Sequence, residues 1–213
     1  MRLKMELWNL QAIEKSEKIL NEIKKITDFV LIGGWATYLY TKSIKSTDID
    51  IYINFDDFFK FQAHLSNKGI FINYNKNLNK YEVKTEGIDI DIYTPHKCNL
   101  IVSCKEVFDK NLYEIIEGFK VIKIEYLILL KLKAEFNRKL TLKGFKDRCD
   151  ILALIDKADE KILNKLIKNY NGLYLELIKV IKESKEEYNY AFQKEFNLRE
   201  LKLKKQELLK ELL

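Results

Sequence analysis

An α+β fold is predicted from three observations. The first half of the 213-residue chain is built of short apolar or alternating segments punctuated by Gly, Asn and Asp. The second half carries long segments whose apolar residues recur at helical spacing. One Pro and seven Gly leave little material for a flexible linker between the halves. The predicted architecture is a mixed β-sheet with flanking helices over residues 1–118, followed by a helical part over residues 119–213.

The elements follow in order. From Glu6 to Ile26, the residues Leu7, Leu10, Ile13, Ile19, Leu20, Ile23 and Ile26 form one stripe, which predicts an amphipathic opening helix. Phe29-Val30-Leu31-Ile32 is short, β-branched and aromatic, and it stops at Gly33-Gly34, so it reads as a buried strand ending in a tight turn. Trp35 to Thr41 reads as a short helix. Asp48-Ile49-Asp50-Ile51-Tyr52-Ile53 alternates as a strand with one polar face does. Asp56 is placed to cap a helix running to about Lys68, with Gly69 ending it. Ile70 to Tyr74, an Asn/Lys-rich turn at Asn75 to Asn79, Lys80 to Thr85, and then Ile88 to Tyr93 after Glu86-Gly87 predict a meander. Beyond Pro95 a strand signal remains only around Phe119 to Ile122. Helices are predicted at Glu125 to Leu140, Lys146 to Ile155, Glu160 to about Ser184, and Leu198 to Leu213.

Composition narrows the function classes. The 38 Lys+Arg against 32 Asp+Glu leave a net charge of +6, interleaved along the chain, which permits a polyanionic substrate without announcing a nucleic-acid protein. No run reaches the ~18 uninterrupted apolar residues of a membrane helix. Met1-Arg2-Leu3-Lys4-Met5-Glu6 lacks the apolar region of a secretion signal, so the expectation is a cytoplasmic protein with no membrane partner. Cys98, Cys104 and Cys149 fall in no zinc-binding spacing, and His64 and His96 are far apart, so the thiols read as structural.

The informative feature is a set of carboxylates. Residues i and i+2 of a strand share a face, so Asp48 and Asp50 project together, as do Asp89 and Asp91. Aligned strands would gather three or four carboxylates at one sheet surface, where repulsion is costly unless a divalent cation neutralises it. All-oxygen ligation suits Mg²⁺ or Mn²⁺ shared with substrate phosphates. The turn at Gly33-Gly34, between a strand and a helix, lets main-chain N–H groups approach a phosphate. Carboxylates for metals beside a turn for a triphosphate are the apparatus of nucleotidyl transfer.

These residues carry a family resemblance. Ile32-Gly33-Gly34-Trp35-Ala36, then Lys45-Ser46-Thr47-Asp48-Ile49-Asp50-Ile51, then Ile90-Asp91-Ile92, resemble the core signature of the nucleotidyltransferase superfamily related to DNA polymerase β. Glu125 to Ala134, Arg138, and Lys146-Asp147-Arg148-Cys149-Asp150-Ile151 are similar to the helical region of abortive-infection-type toxin nucleotidyltransferases. The resemblance covers about Phe29 to Ile155 and does not reach the C-terminal segment. It implies that Asp48 and Asp50 are catalytic metal ligands and that Gly33 and Gly34 cradle phosphate. The third carboxylate is Asp91 or Asp89; Asp91 is favoured because Ile92-Tyr93 continue it into hydrophobics as the motif does. Lys131, Arg138, Lys146 and Asp147 are implied to bind the nucleotide. Two departures stand out: Gly34 where many relatives have Ser, and Lys45 near where related toxins often have Arg.

The resemblance implies a Mg²⁺- or Mn²⁺-dependent enzyme moving NMP from an NTP to a hydroxyl of RNA (tRNA-like) or of a protein, as the toxin of a toxin-antitoxin pair. The alternative is a non-catalytic nucleotide- or partner-binding module, an antitoxin or adaptor, on the same fold. Transfer to a small molecule ranks last, since no acidic cluster stands outside the metal ligands. Plainer readings remain for single residues: Lys131 and Lys133 as snorkelling side chains, Lys146-Asp147 as a helix cap, and Trp35 as packing rather than a border of the base. Leu198, Leu201, Leu208 and Leu212 form a heptad-like seam, read first as intramolecular packing, with a second copy or an antitoxin as the other partners.

Overall fold

The computed structural model describes residues 10–212. The first residues of the opening helix predicted from Glu6, including Leu7, lie outside the described residues, as does Leu213. The chain forms two units, residues up to Leu39 with Lys45–Lys123, and Tyr40–Ile44 with the residues from Ile124 on.

The first unit is an α+β layer arrangement around a seven-stranded mixed sheet. Its elements are α1 (Leu10–Ile26), β1 (Val30–Ile32), α2 (Gly33–Thr41), β2 (Ile49–Tyr52), α3 (Phe55–Asn67), β3 (Asn73–Asn75), β4 (Lys80–Thr85), β5 (Ile88–Tyr93), α4 (Cys104–Asp109), β6 (Tyr113–Ile116) and β7 (Phe119–Ile122). The sheet order is β3-β4-β5-β2-β1-β7-β6. β2 lies antiparallel to β1 and parallel to β5, and β7 runs parallel to β1. The centre reads as a continuous apolar run because it is covered on both faces: Val30, Leu31, Ile49, Ile51, Ile90 and Ile92 are buried. Each such side chain contributes roughly 1.5–3 kcal/mol by leaving water. α1 buries Ile13, Ile19, Leu20 and Ile23 against α3 and β5, as its stripe predicts.

Several elements differ from the sequence expectation. The strand predicted over Ile70 to Tyr74 forms only at Asn73–Asn75, since it is an edge strand and Phe71 is exposed. The helix expected to be capped by Asp56 starts earlier, with Asn54 at the cap position; Asp56 and Asp57 lie in its first turn, where their charge favours the helix dipole. α4, with Ser103 as its cap, and β6 were not anticipated. β6 and β7 form a hairpin whose turn is Glu117-Gly118, both at positive φ, repeating the Glu86-Gly87 turn between β4 and β5. Because Phe119–Ile122 pairs with β1, this hairpin belongs to the sheet, and the first unit extends to Lys123.

The second unit is helical: α5 (Ile124–Arg138), α6 (Leu142–Ile155), α7 (Glu160–Ile167), α8 (Asn171–Glu183), α9 (Glu186–Phe192) and α10 (Leu198–Leu212). α5 packs on α6 and α8, burying Leu127, Ile128, Leu129 and Leu132. α6 begins before the predicted Lys146, because the Thr141 hydroxyl accepts from the Gly144 N–H; Lys146 and Asp147 therefore lie inside the helix and do not cap it. The single helix predicted from Glu160 to about Ser184 is two, separated at Asn169-Tyr170, where the backbone turns before Asn171-Gly172. α10 packs on α7 and α8 through the buried Leu208 and Leu212, whereas Leu198 at the head of the proposed seam is exposed. Among the described residues, no helix is long and apolar enough to cross a membrane.

Candidate active site

β1 is entirely buried and delivers the chain to Gly33, whose φ is +67°. Only glycine adopts that conformation without strain. A second constraint acts there too: a Cβ on Gly33 would lie 2.1 Å from Asp50 Oδ2 and 2.7 Å from its Cγ. The Asp50 carboxylate thus lies directly against the main chain of the turn. Gly34 is buried in the first turn of α2, and the Thr37 hydroxyl donates to the Gly33 carbonyl at 3.1 Å. Trp35 is buried, with its indole N–H donating to Ser16 Oγ at 2.8 Å, so it packs and does not border an open site.

The carboxylates are placed by strand register. Asp50 stands between the buried Ile49 and Ile51, opposite Ile32 on β1 and opposite Asp91 on β5. Neighbouring strands lie about 4.8 Å apart, so in-register Asp50 and Asp91 belong to one sheet face at close quarters. Asp48 precedes β2, half-buried, and accepts from the Thr47 hydroxyl at 3.2 Å. Asp89 shares the face of Asp91 but is farther out: its side chain is 58% exposed and pairs with Lys84 at 3.4 Å, whereas that of Asp91 is 27% exposed.

A cation that sequence reading did not single out sits in this group. Lys80, at the start of β4, has a side chain only 10% exposed; its Nζ is 2.5 Å from Asp91 Oδ2 and 3.1 Å from Glu82 Oε1. Burial works to lower the Lys80 pKa, and the bonds to Asp91 and Glu82 outweigh it, leaving the ammonium raised. The Asp91 carboxyl is pushed up, chiefly by burial and further by the charges of Glu82 and Asp48, against the opposing pull of Lys80. Glu82, mainly through its bond to Lys80, is held below the usual carboxylate range. The signal for Lys80 was present in the sequence, since Lys80-x-Glu82-x-Lys84 alternates on the strand before Asp89-x-Asp91.

Among the described residues, no three His, Cys, Asp or Glu side chains stand already gathered as metal ligands. The donor chemistry nevertheless fits a hard divalent cation. Asp48, Asp50 and Asp91 are all-oxygen donors, the glycine cradle is kept open against Asp50, and the Lys80 ammonium already stands as a cation against Asp91.

The remaining predicted residues lie in the second unit. Lys131, buried on α5, approaches Asp147 Oδ1 at 3.3 Å and Asp150 Oδ2 at 2.6 Å, both on α6. Arg138, two turns further along α5, donates to Asp147 Oδ2 at 2.7 Å. Lys131, Arg138 and Asp147 are therefore brought together, while Lys146 neighbours them in sequence, half-buried on α6. Asp150 was not anticipated as a member of this network, although it follows Asp147 by about one helical turn.

No known family profile and no curated protein sequence matches the chain. Among solved structures it is similar to a candidate nucleotidyltransferase from H. pylori, with 20% identity over 96% of this chain and 97% of that one, at a TM-score of 0.51. It is similar to JHP933 from Helicobacter pylori, again at 20% identity, over 96% of this chain and 94% of that one, at a TM-score of 0.52. A weaker likeness, 11% identity and a TM-score of 0.49 over 79% of this chain and 92% of the other, is to the antibiotic-resistance factor ANT(2'')-Ia. The fold is thus nucleotidyltransferase-like, a mixed sheet with flanking helices followed by a helical C-terminal half.

Proposed function

We propose that this protein is a nucleotidyltransferase that moves NMP from an NTP to a hydroxyl of RNA or of a protein, acting as the toxin of a toxin-antitoxin pair. One observation carries the transfer reading: Asp50 and Asp91 stand opposite each other on parallel strands at the point where β1 turns through Gly33. Asp48, Asp50 and Asp91 would hold Mg²⁺ or Mn²⁺, which when bound supplies Lewis-acid activation and neutralises triphosphate charge. The turn at Gly33 and the N-terminus of α2 offer main-chain donors to phosphate. In the reaction the acceptor oxygen bonds to the α-phosphorus, the bond to pyrophosphate breaks, and the hydroxyl proton passes to a carboxylate of this face. Asp91, whose carboxyl is pushed up by burial, or Asp89 would accept it. The net charge of +6 favours RNA as the acceptor. Nucleotide binding by Lys131, Arg138, Lys146 and Asp147 is carried into the proposal on the family resemblance.

The test is incubation of purified protein with each labelled NTP, Mg²⁺ and either total RNA or cell lysate. A labelled product is expected with wild type and none with Asp50→Asn; wild-type transfer by Asp50→Asn would overturn the assignment. The engagement of Asp91 by Lys80 favours a second reading, a nucleotide- or partner-binding module without transfer. A partner-binding module would show no Mg²⁺-dependent rise in melting temperature with any NTP, whereas the enzyme would; a nucleotide-binding module would show the rise and no labelled product.

A further inference from the structure

Lys80 is an unusual residue for the interior of a carboxylate face. Its side chain is 10% exposed, and its ammonium is shared between Asp91 Oδ2 at 2.5 Å and Glu82 Oε1 at 3.1 Å. A buried ammonium needs anionic partners, and the largely buried Asp91 carboxylate beside Glu82 needs a cation. Each requirement is met by the other. Lys84 and Asp89, by contrast, pair at 3.4 Å with side chains 73% and 58% exposed, so their charges are largely satisfied by water.

We propose that Lys80 is a tethered stand-in for the divalent cation: it neutralises Asp91 while the site is empty and gives up that oxygen when a metal ion loads. The inference rests on the metal-dependent reading above. Its physical content is competition. An ammonium at 2.5 Å from Asp91 Oδ2 occupies the position from which a hard cation would draw that oxygen, and it repels a second positive charge brought to the same carboxylates. The four-carbon stem gives Lys80 room to swing to Glu82 alone, which already shares the ammonium. Lys80 is therefore a positioning residue that sets how tightly, and with what help, the metal binds. A nucleotide that brings its own phosphates adds oxygen ligands and shifts the competition towards the metal, which couples loading of the ion to arrival of the substrate.

The experiment measures Mn²⁺ affinity without nucleotide, from the free-Mn²⁺ electron paramagnetic resonance signal, for wild type, Lys80→Met, Lys80→Gln, Lys80→Arg and Asp50→Asn. Removing the charge in Lys80→Met or Lys80→Gln is expected to tighten Mn²⁺ binding about tenfold or more, while Lys80→Arg keeps it within about twofold of wild type. In wild-type protein, acetic anhydride footprinting read by mass spectrometry should show Lys80 labelling rise when Mn²⁺ is added, with Lys84 unchanged; this arm needs no variant to fold. Equal or weaker binding by both uncharged variants, or Lys80 labelling indifferent to Mn²⁺, overturns the inference. If Asp50→Asn abolishes binding while the Lys80 variants match wild type, the metal site stands and the Lys80 role alone falls. If no variant and not the wild type binds Mn²⁺, both fall together.

Discussion

Two of the molecule's lysine–carboxylate groups look alike on paper and differ in their surroundings. On the sheet, Lys80 serves Asp91 and Glu82 beside Asp48 and Asp50, and Asp91 keeps 27% of its side chain exposed. In the helical unit, Lys131 and Arg138 serve Asp147 and Asp150, whose side chains are 1% and 0% exposed. The second group sets Lys131 and Arg138 against carboxylates buried between packed helices, with the Arg138 side chain itself 39% exposed. The first shares one buried ammonium between Asp91 and Glu82, whose side chains are 27% and 38% exposed, with water at hand. Carboxylates buried as deeply as Asp147 and Asp150 are costly to strip of a partner, because the charge left behind has no solvent to receive it. Carboxylates that stay partly wet can exchange partners at lower cost, which suits a binding site.

Two substitutions test that contrast most directly. Asp50→Asn should cost transfer about a thousandfold or more, by removing a ligand for the ion that stabilises transition-state charge, while its melting temperature stays near that of wild type. Lys131→Met should do the reverse on stability. It leaves the fully buried Asp150 without its 2.6 Å partner, at a cost of about 3 kcal/mol in urea unfolding. If Asp50→Asn proved the more destabilising of the two, the division into partly wet and deeply buried carboxylate groups would be lost.

Gly33→Ala has a smaller expected effect and separates backbone from charge. The φ of +67° makes any side chain strained, by about 1–2 kcal/mol, and the added Cβ must push the Asp50 carboxylate off the turn. Transfer should therefore fall further than unfolding free energy alone explains. Gly87→Ala is the control, since its φ is +81° but a Cβ there meets nothing within 4 Å. Equal losses of transfer in both variants would show that contact between Gly33 and Asp50 has no part in the site.

The carboxylate side of this comparison was legible in the sequence, and the cation side was not. Phe29 to Gly34 announces a buried strand and a turn, and Asp48-x-Asp50 and Asp89-x-Asp91 announce their faces, because strand periodicity is local information. Lys80 was passed over because its meaning depends on antiparallel register: Glu82 lies opposite Asp91, which brings the flanking Lys80 across to the same carboxylate. That register is set by the Glu86-Gly87 turn, a local signal whose consequence is several residues away. β6 was missed although Glu117-Gly118 repeats the same turn between Tyr113–Ile116 and Phe119–Ile122, whose pairing supplies the sheet's outer edge. Asp150 escaped notice because its neighbours in sequence say nothing of burial, and only the packing of α5 on α6 brings it within 2.6 Å of Lys131.

The thiols give the mildest probe of the same contrast. Burial pushes the pKa of Cys98, Cys104 and Cys149 up, and the negative charge of Asp150 adds to the effect at Cys149. Since the thiolate is the reacting form, all three should be slow towards a disulfide reagent at neutral pH in the native protein and fast in denaturant. Their order carries the information. Cys98 is half-buried in the sheet unit, Cys104 is buried there with its thiol 3.7 Å from the Ile53 carbonyl, and Cys149 is buried beside Asp150. Cys98 should label first, by partial exposure. Cys149 should label only as fast as the helical unit opens, so Lys131→Met, by leaving the buried Asp150 without this partner, should accelerate Cys149 and leave Cys98 unchanged. Acceleration of Cys98 and Cys149 alike by that single substitution would mean that the two units open as one, and that the helical charge network stabilises the sheet as well as its own helices.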